Sequence, residues 1–594
     1  MASNASPEHT AALYTQGLNH HRQGQLAEAE SQYRQVLTAN PHHSDSMHMM
    51  GVIALQVGKL GLAVQLLGEA ARLKPNDAVI ASNLASAFRR AGRPHDALAS
   101  ARRAIELAPG FNDAQQNLVN ILEDMNRYSE AAEMIENFIA AYGENAELYL
   151  RLANFYIKSN QPIKAVDVLY DMLGMDPLST AAYTNLGVAF RRLDRLDDAM
   201  VAYRTGLALA PHDNGLLNNY GIILKDSDQT EEAVDCFRRA LETQPNAGNT
   251  WLNLSLAQNE LMNTDEAIRA ARRAVATEPD LPPAHTALSM SLLMRGEFTE
   301  GFAEYEWRSR MADFPSPKRR FPTPAWRGED PRGRTFIVHD EQGLGDSIQF
   351  VRYAQVLTAM GARVFLECNS QLVRLLGRMT GIEGVIKRFG TLPPHDYHAS
   401  LLSLPHCLGT TLETIPTVTQ YLTAEPDLTA IWRKQLSGYT GLKVGLIWAG
   451  NPEFKADRLR SPGLKAFRSL CDLPGITLFA LQKGAGRDDL KDADWLPPHF
   501  VDLNEQIEDF ADTAAIMMNL DLIITSCTGP AHLAGALGRQ TWTVIPFSPD
   551  WRWMEKRLDT PWYPTMRLFR QDRRGDWTAV MEHLTAALSQ LSKA

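Results

Sequence analysis

Proline recurs at Pro41, Pro75, Pro109, Pro177, Pro211, Pro245 and Pro279, always 34 residues apart or a multiple of it. The one missed beat falls on Gly143, another helix stopper. Ala29, Ala63, Ala97, Ala131, Ala165, Ala199, Ala233 and Ala267 keep the same phase, as do Gly17, Gly51, Gly187 and Gly221, with Ala85 and Ala153 between. This pattern predicts two antiparallel helices per repeat. The small residues sit where the helices touch, and proline follows the second helix because it cannot supply the i→i−4 donor. A single helix pair cannot bury its apolar face, but a stack can, so this stretch is expected to form a solenoid.

The series resembles tetratricopeptide repeats, about eight or nine in register. Asn185-Leu186-Gly187 with Ala199, Tyr203 and Pro211 follows that pattern almost fully. Such repeats form a superhelix with a concave groove for peptides or proteins. Two residues before the Gly/Ala series stand Asn83, Asn117, Asn185, Asn219 and Asn253, at the position that faces the groove in this family. A primary amide carries two donors and an acceptor, so a ladder of them can hold an extended peptide backbone. The eukaryotic Ser/Thr O-GlcNAc transferase, which this half resembles, carries such a ladder. The other reading is that these amides bond neighbouring repeats. Arg151 interrupts the series, and Thr15 and Met49 replace Asn at its start.

The beat stops after Trp307-Arg308, and Phe314 to Arg334 is rich in Pro, Arg and Gly. We expect a solenoid over residues 1–312 and a linker over 313–334, pinned by Phe321, Pro322 and Trp326. From residue 335, short apolar runs alternate with amphipathic helices. Strands are expected at Thr335–His339, Ala362–Glu367, Lys443–Trp448, Thr477–Leu481, Leu522–Thr525 and Thr541–Ile545. Strand, glycine loop, helix and strand make the unit of a parallel doubly wound sheet. It begins twice, which implies two Rossmann-like lobes of GT-B type, 335–430 and 431–594. Ligands of such sheets lie at the carboxyl ends of strands.

The loops there carry the candidate chemistry. Gly343-Leu344-Gly345-Asp346 follows a strand and opens a helix. It resembles the opening loop of bacterial heptosyltransferases, which implies that Asp346 is the general base and that Gly343 and Gly345 let backbone approach the substrate. Without the resemblance, Asp346 reads as a helix cap. Thr525 to Gly538 is the strongest motif: a strand, a Thr-Gly turn, then Pro530 opening a helix of small residues. Free N–H groups and the helix dipole there suit phosphate. It resembles the nucleotide-binding signature of the heptosyltransferases, so Thr528, Gly529 and His532 carry over, while Cys527 stands where that family has Asp. Gln482 and Lys483 end another strand, where a lysine can neutralise a leaving phosphate. Asn451, Arg458 and Arg460 lie on a similar loop, where arginine can bind phosphate in bidentate fashion. The aromatic run Pro546–Trp553 and the Pro561–Pro564 segment read mostly as packing.

Composition bounds the rest. A net charge of −10 with 45% hydrophobic residues is globular and argues against a nucleic-acid binder. Five cysteines, none in a C-x-x-C pair, fit a reducing compartment. The first ten residues lack the marks of a signal peptide, and no apolar run reaches the ~18 residues of a membrane span. The expected place is the cytoplasm. No metal-ligand cluster is visible and no bound cofactor is expected. In order and length the chain resembles a bacterial family of TPR-containing protein glycosyltransferases that act on flagellin. The resemblance implies an inverting, metal-independent transfer of a nonulosonic acid, pseudaminic acid in type, from a CMP-linked donor to Ser/Thr, with the repeats recruiting flagellin. Two other readings stand beside it: a UDP-GlcNAc-dependent protein O-glycosyltransferase, and a non-enzymatic TPR scaffold or secretion adaptor.

Overall fold

The computed structural model describes residues 7–143, 145–314, 319–454 and 457–593, so residues 315–318 of the expected linker lie outside the described residues. The chain divides into two compact units, Met1–Ser227 and Asp228–Ala594.

The first unit is a stack of helix pairs. Pro7–Arg22 pairs with Leu26–Ala39, Ser44–Gln56 with Leu60–Leu73, Ala78–Arg90 with Pro94–Leu107, and the series continues to Asn214–Asp226. The second helix of most pairs ends one residue before a C-cap that directly precedes the periodic proline, as at Lys74 before Pro75 and Ala210 before Pro211. Two residues past each proline the chain re-enters a helix. Asp77, Ser179 and Asp213 there accept first-turn N–H groups with their side chains, and Asn145 does so at the same phase.

Glycine at the helix crossing is a packing requirement. A Cβ on Gly187 would fall within 2.5 Å of both Cε atoms of the Tyr203 ring, which is buried on the facing helix. The turn inside each pair needs one left-handed residue, and Gly24, Gly58, Gly92, Asn126, Asn160 and Asp194 supply it in turn. Consecutive repeats are also tied by polar bonds between residues 35 apart, such as Arg89 to Asp124 at 2.7 Å and Arg191 to Asp226 at 2.9 Å.

The second unit opens with the helices Thr230–Thr243, Gly248–Glu260, Thr264–Thr277, Pro282–Arg295 and Phe298–Tyr305. Two fully parallel sheets follow. The first has strands β1 (Thr335–His339), β2 (Arg363–Cys368), β3 (Gly384–Lys387) and β4 (Tyr397–Ser400), in the order β3-β2-β1-β4. The second has β5 (Leu442–Ile447), β6 (Ile476–Ala480), β7 (Phe500–Asp502), β8 (Leu522–Ser526), β9 (Thr541–Ile545) and β10 (Met566–Arg570), in the order β10-β9-β8-β5-β6-β7.

The strands read from apolar runs are present within a residue or two. Those the runs did not mark, β3, β4, β7 and β10, are short or carry charged and polar residues. The helices and the sheets share one core. Phe298 and Phe302 from the last helix pack with Trp551 and Trp562, and Phe350 joins the same aromatic group. Trp551 and Trp562 are therefore packing. Phe321 stacks between His339 and His398 at 4.7 and 4.2 Å, and Trp326 is buried against Phe336, so this part of the connecting segment is fixed to the first sheet.

Candidate functional site

Two short helices begin at the carboxyl ends of parallel strands: Leu344–Phe350 after β1, and Gly529–Ala536 after β8. They pack on one another, so the loops at the carboxyl ends of β1 and β8 meet. The contact is backbone-close. A Cβ on Gly345 would lie 3.0 Å from His532 Cδ2 and 3.2 Å from Gly529 Cα, which explains glycine at that place. Gln342, just before the loop, has φ 58°, an uncommon conformation for a residue with a side chain.

Asp346 is the carboxylate of this junction. Its Oδ2 accepts the Gly343 N–H at 2.8 Å, which is the capping geometry, and its Oδ1 accepts Nη2 of Arg552 at 2.7 Å. The Arg552 guanidinium is buried and also donates to Gln349 Oε1 at 2.8 Å and to both oxygens of Asp550 at 2.9 and 3.1 Å. Two carboxylates thus flank one cation, and their environments push them apart. Burial raises the Asp346 carboxyl above its ordinary value, and Arg552 offsets only part of that. Asp550 keeps its side chain 43% exposed, and the desolvation it feels is outweighed by Arg552, whose charge, backbone N–H and side-chain bonds hold it below the ordinary value. One guanidinium thus leaves the two carboxylates electrostatically unlike. At neutral pH Asp550 serves as a fixed counter-ion.

The Gly529–Ala536 helix starts after Thr528, and no side chain caps it. Pro530 has no N–H and the Ala531 N–H is bonded to the Thr528 carbonyl at 3.0 Å, so its first turn offers the Gly529 N–H and the positive end of the helix dipole. His532 is buried on this helix. Its Nδ1 lies 2.9 Å from the Tyr563 hydroxyl and its ring stacks on Trp553. Burial and the Arg552 charge depress it to about 3, so it is a neutral imidazole at pH 7. Burial pushes the Cys527 thiol up to about 12, so it is no thiolate.

The structure separates the other sequence candidates. A Cβ on Gly450 would meet Thr528 Cγ2 at 2.9 Å and Arg460 Nη2 at 3.0 Å, so the β5 loop and Arg460 reach the β8 loop. Arg460 is held by Asp457 at 2.9 Å. Arg458 is turned to Asp228 at 3.1 Å and is 60% exposed. Asn451 is exposed, and its side chain accepts the Glu453 N–H. Gln482 is a structural staple: its Oε1 accepts the N–H groups of Trp448 and Ala449, and its Nε2 donates to the carbonyls of Ala449 and Lys483. Those four bonds fill an amide's capacity, which leaves none for a ligand. Lys483 donates to the carbonyls of Asn504 and Ile507 at 3.1 and 2.7 Å, leaving one N–H.

Within the asparagine series, Asn83 bonds His48 at 2.7 Å and Asn117 bonds Ser82 at 2.9 Å, each in the preceding repeat. These two amides join repeats. Asn185 and Asn219 are half-buried with no side-chain hydrogen bond among the described residues, and Asn253 is half-buried and engaged. Sequence reasoning missed Arg552 and Asp550. The signal was an Asp-x-Arg pair inside an aromatic run, where charged residues need a reason to be.

Among the described residues no group of three or more His, Cys, Asp or Glu can hold a metal ion, and no helix is long and apolar enough to cross a membrane.

Comparison with known proteins places these features. Tetratricopeptide-repeat family profiles match residues 14–78, 48–110, 117–179 and 221–282, and a second such profile matches 180–213. The chain is 28% identical over 340 residues to Protein FlbA of Caulobacter vibrioides, covering 52% of this chain and 55% of FlbA. It is 30% identical over 110 residues to small glutamine-rich tetratricopeptide repeat-containing protein 2 of Mycosarcoma maydis, covering 18% of this chain and 31% of that protein. The chain thus spans about half the length of FlbA and about a third of the fungal protein. Among solved structures, it is similar to YrrB, described as a TPR protein with an unusual peptide-binding site, at 23% identity and TM-score 0.25, over 30% of this chain and 93% of YrrB. A tetratricopeptide repeat protein from Parabacteroides merdae is similar at 17% identity and TM-score 0.32, over 42% of this chain and 98% of that one. The chain is a tetratricopeptide-repeat protein with sequence similarity to FlbA, in which a helical solenoid is followed by an α/β region of two parallel sheets.

Proposed function

We propose that the chain is a protein O-glycosyltransferase of GT-B architecture. It moves a nonulosonic acid of pseudaminic-acid type from a CMP-activated donor to Ser or Thr of flagellin, which the repeats recruit. The observation that carries this reading is the meeting of the β1 and β8 loops, where Gly345 packs against Gly529, the start of a helix that no side chain caps, and Asp346 stands one residue on from Gly345. In this reading Asp346 takes the proton of the acceptor hydroxyl as its oxygen attacks the anomeric carbon. The bond from that carbon to the phosphate oxygen breaks on the opposite face, the configuration inverts, and CMP leaves. The Gly529 N–H and the positive end of its helix dipole, with Arg460, stabilise the charge on the departing phosphate. His532, neutral and fixed by Tyr563, positions the loop. Gly345 lets the two loops close on the substrate. Asn185 and Asn219 are the amides of the series best placed to take a backbone of the acceptor.

The test begins with thermal shifts of the purified chain with CMP, UDP, ADP and GDP, followed by the mass of flagellin after incubation with CMP-pseudaminic acid. A stabilisation specific to CMP and a mass gain of one sugar are expected, and Asp346→Asn should lower transfer by about 10²–10⁴-fold with the fold retained. A specific UDP shift would replace the donor by a hexosamine nucleotide. No shift and no mass gain would leave the scaffold or secretion-adaptor reading.

A further inference from the structure

The turn after β3 holds a residue that its backbone disfavours. Gly390 N–H donates to the Lys387 carbonyl at 2.7 Å, closing a β-turn whose third residue is Phe389, with φ 65°. Turns with this sign at that position are the province of Gly or Asn, and a bulky aromatic there is a true outlier. The sequence has a glycine within reach, at 390, one residue late. The Phe389 side chain is 58% exposed, so no core contact accounts for it.

The conformation is held from below. Phe389 N–H donates at 2.7 Å to Glu367, a carboxylate 3% exposed at the end of β2. Arg319 pairs with the same carboxylate and donates to the Gly390 carbonyl at 3.0 Å. Arg388 donates to Asp340 just past β1 at 2.9 Å, and the second Asp340 oxygen accepts Asn369 N–H at 2.7 Å. Buried carboxylates therefore lock the three loops at the carboxyl ends of β1, β2 and β3 into one frame. Strained residues persist only where the surroundings over-determine them, and they gather at ligand clamps.

We infer that Phe389 is a recognition platform for an apolar side chain of the acceptor polypeptide. This rests on the transferase reading above. In the order β3-β2-β1, the Phe389 turn lies two strands from the β1 loop that carries Asp346. At ~4.8 Å per strand that is about 10 Å along the sheet edge, or about three residues of extended chain. An acceptor whose hydroxyl reaches Asp346 then sets a side chain about three positions away over the Phe389 ring.

The test uses the full chain with Phe389→Gly and Phe389→Trp, measuring melting temperature and the KM for flagellin and for donor. Glycine removes the strain and the ring together. Its melting temperature should rise by about 2–4 °C while the acceptor KM rises about tenfold and the donor KM stays at the wild-type value. Tryptophan, which keeps a flat face, should restore the acceptor KM to within about twofold. An unchanged acceptor KM in Phe389→Gly overturns the inference and leaves the transferase reading intact. So does a fall in its melting temperature, which would make the ring structural. If the wild-type chain neither binds flagellin nor transfers sugar, the transferase reading falls and the inference falls with it.

Discussion

Gly187→Ala sets two familiar effects against each other at one site. Gly187 sits in the middle of helix Thr180–Arg192, where alanine is favoured over glycine by about 1 kcal/mol. Against that, the added Cβ falls within 2.5 Å of two carbons of the Tyr203 ring, and nearer still to Cζ. A normal carbon contact needs about 3.5–4.0 Å, so the ring or the helix must move by roughly 1 Å or more. Tyr203 is 1% exposed and cannot swing out, which puts the overpacking cost near the top of its usual range of about 1–3 kcal/mol. The net expectation is a loss of about 2 kcal/mol. Gly68→Ala provides the control: Gly68 also lies mid-helix, in Leu60–Leu73, but a Cβ there meets no heavy atom within 4 Å. It should gain about 1 kcal/mol, so the same chemical change differs by about 3 kcal/mol between two repeats. Because a solenoid's stability is a sum over neighbouring repeats, urea titration of the whole chain is best read by hydrogen exchange of peptides covering each helix pair. Adding Tyr203→Leu should remove most of the Gly187→Ala penalty. A Gly187→Ala protein as stable as wild type would refute the packing argument for the glycine series.

Other outcomes follow from the turns and the buried charges. Asp194 occupies the left-handed turn position at φ 58° that Gly24, Gly58 and Gly92 fill elsewhere, so Asp194→Gly should add up to about 1 kcal/mol of stability, seen as a higher urea midpoint; a lower midpoint would count against it. Burial depresses His339 to about 4 and His532 to about 3, so the unfolded chain takes up protons below pH 6.5 that the folded chain refuses until pH 4 or lower. Stability contributed above pH 6.5 is therefore lost as pH falls from 6.5 toward 4, with the two histidines together giving a slope of about 3 kcal/mol per pH unit. The raised carboxyls of Glu341 and Asp346 act in the opposite sense and reduce the net slope. Melting curves between pH 7.5 and 4.5 measure it, and His532→Phe should flatten them; a pH-independent melting temperature would contradict buried neutral imidazoles. Arg552→Met leaves Asp346 and Asp550 without their shared cation, and should cost about 3–5 kcal/mol by chemical denaturation; a near-neutral effect would mean that the site is not closed around that guanidinium.

The parts of this molecule that were legible in the sequence are those in which residue identity repeats. Proline, alanine and glycine recur at one interval because helix ends and helix crossings admit few residue types. The left-handed turn position keeps the same interval but is filled by Gly, Asn, Asp and, at 262, Met, so only the backbone angle repeats. Strands β1, β5, β8 and β9 showed as apolar runs because both faces of a parallel sheet are covered. The site was half legible. Asp346 and Thr528 stand in local strand-loop-helix patterns, whereas Arg552 lies 206 residues from the carboxylate it pairs with and carries no local mark. Gln482 shows the reverse error: its loop is close to the candidate site, but which atoms its amide faces depends on the neighbouring strand.

The shared core of the last helices and the sheets sets where this chain can be cut. Leu293, Phe298, Phe302 and Tyr305 belong to the same buried cluster as Phe350, Trp551 and Trp562. A fragment beginning at β1 would leave large aromatic rings bare to water, and one lacking Asp228 would take an ion-pair partner from both Arg458 and Arg574. The helices between Thr230 and Tyr305 are thus a chassis for the sheets as much as repeats. Length can be added or removed as interchangeable 34-residue modules only upstream of them, like links in a chain whose last link is welded to its anchor.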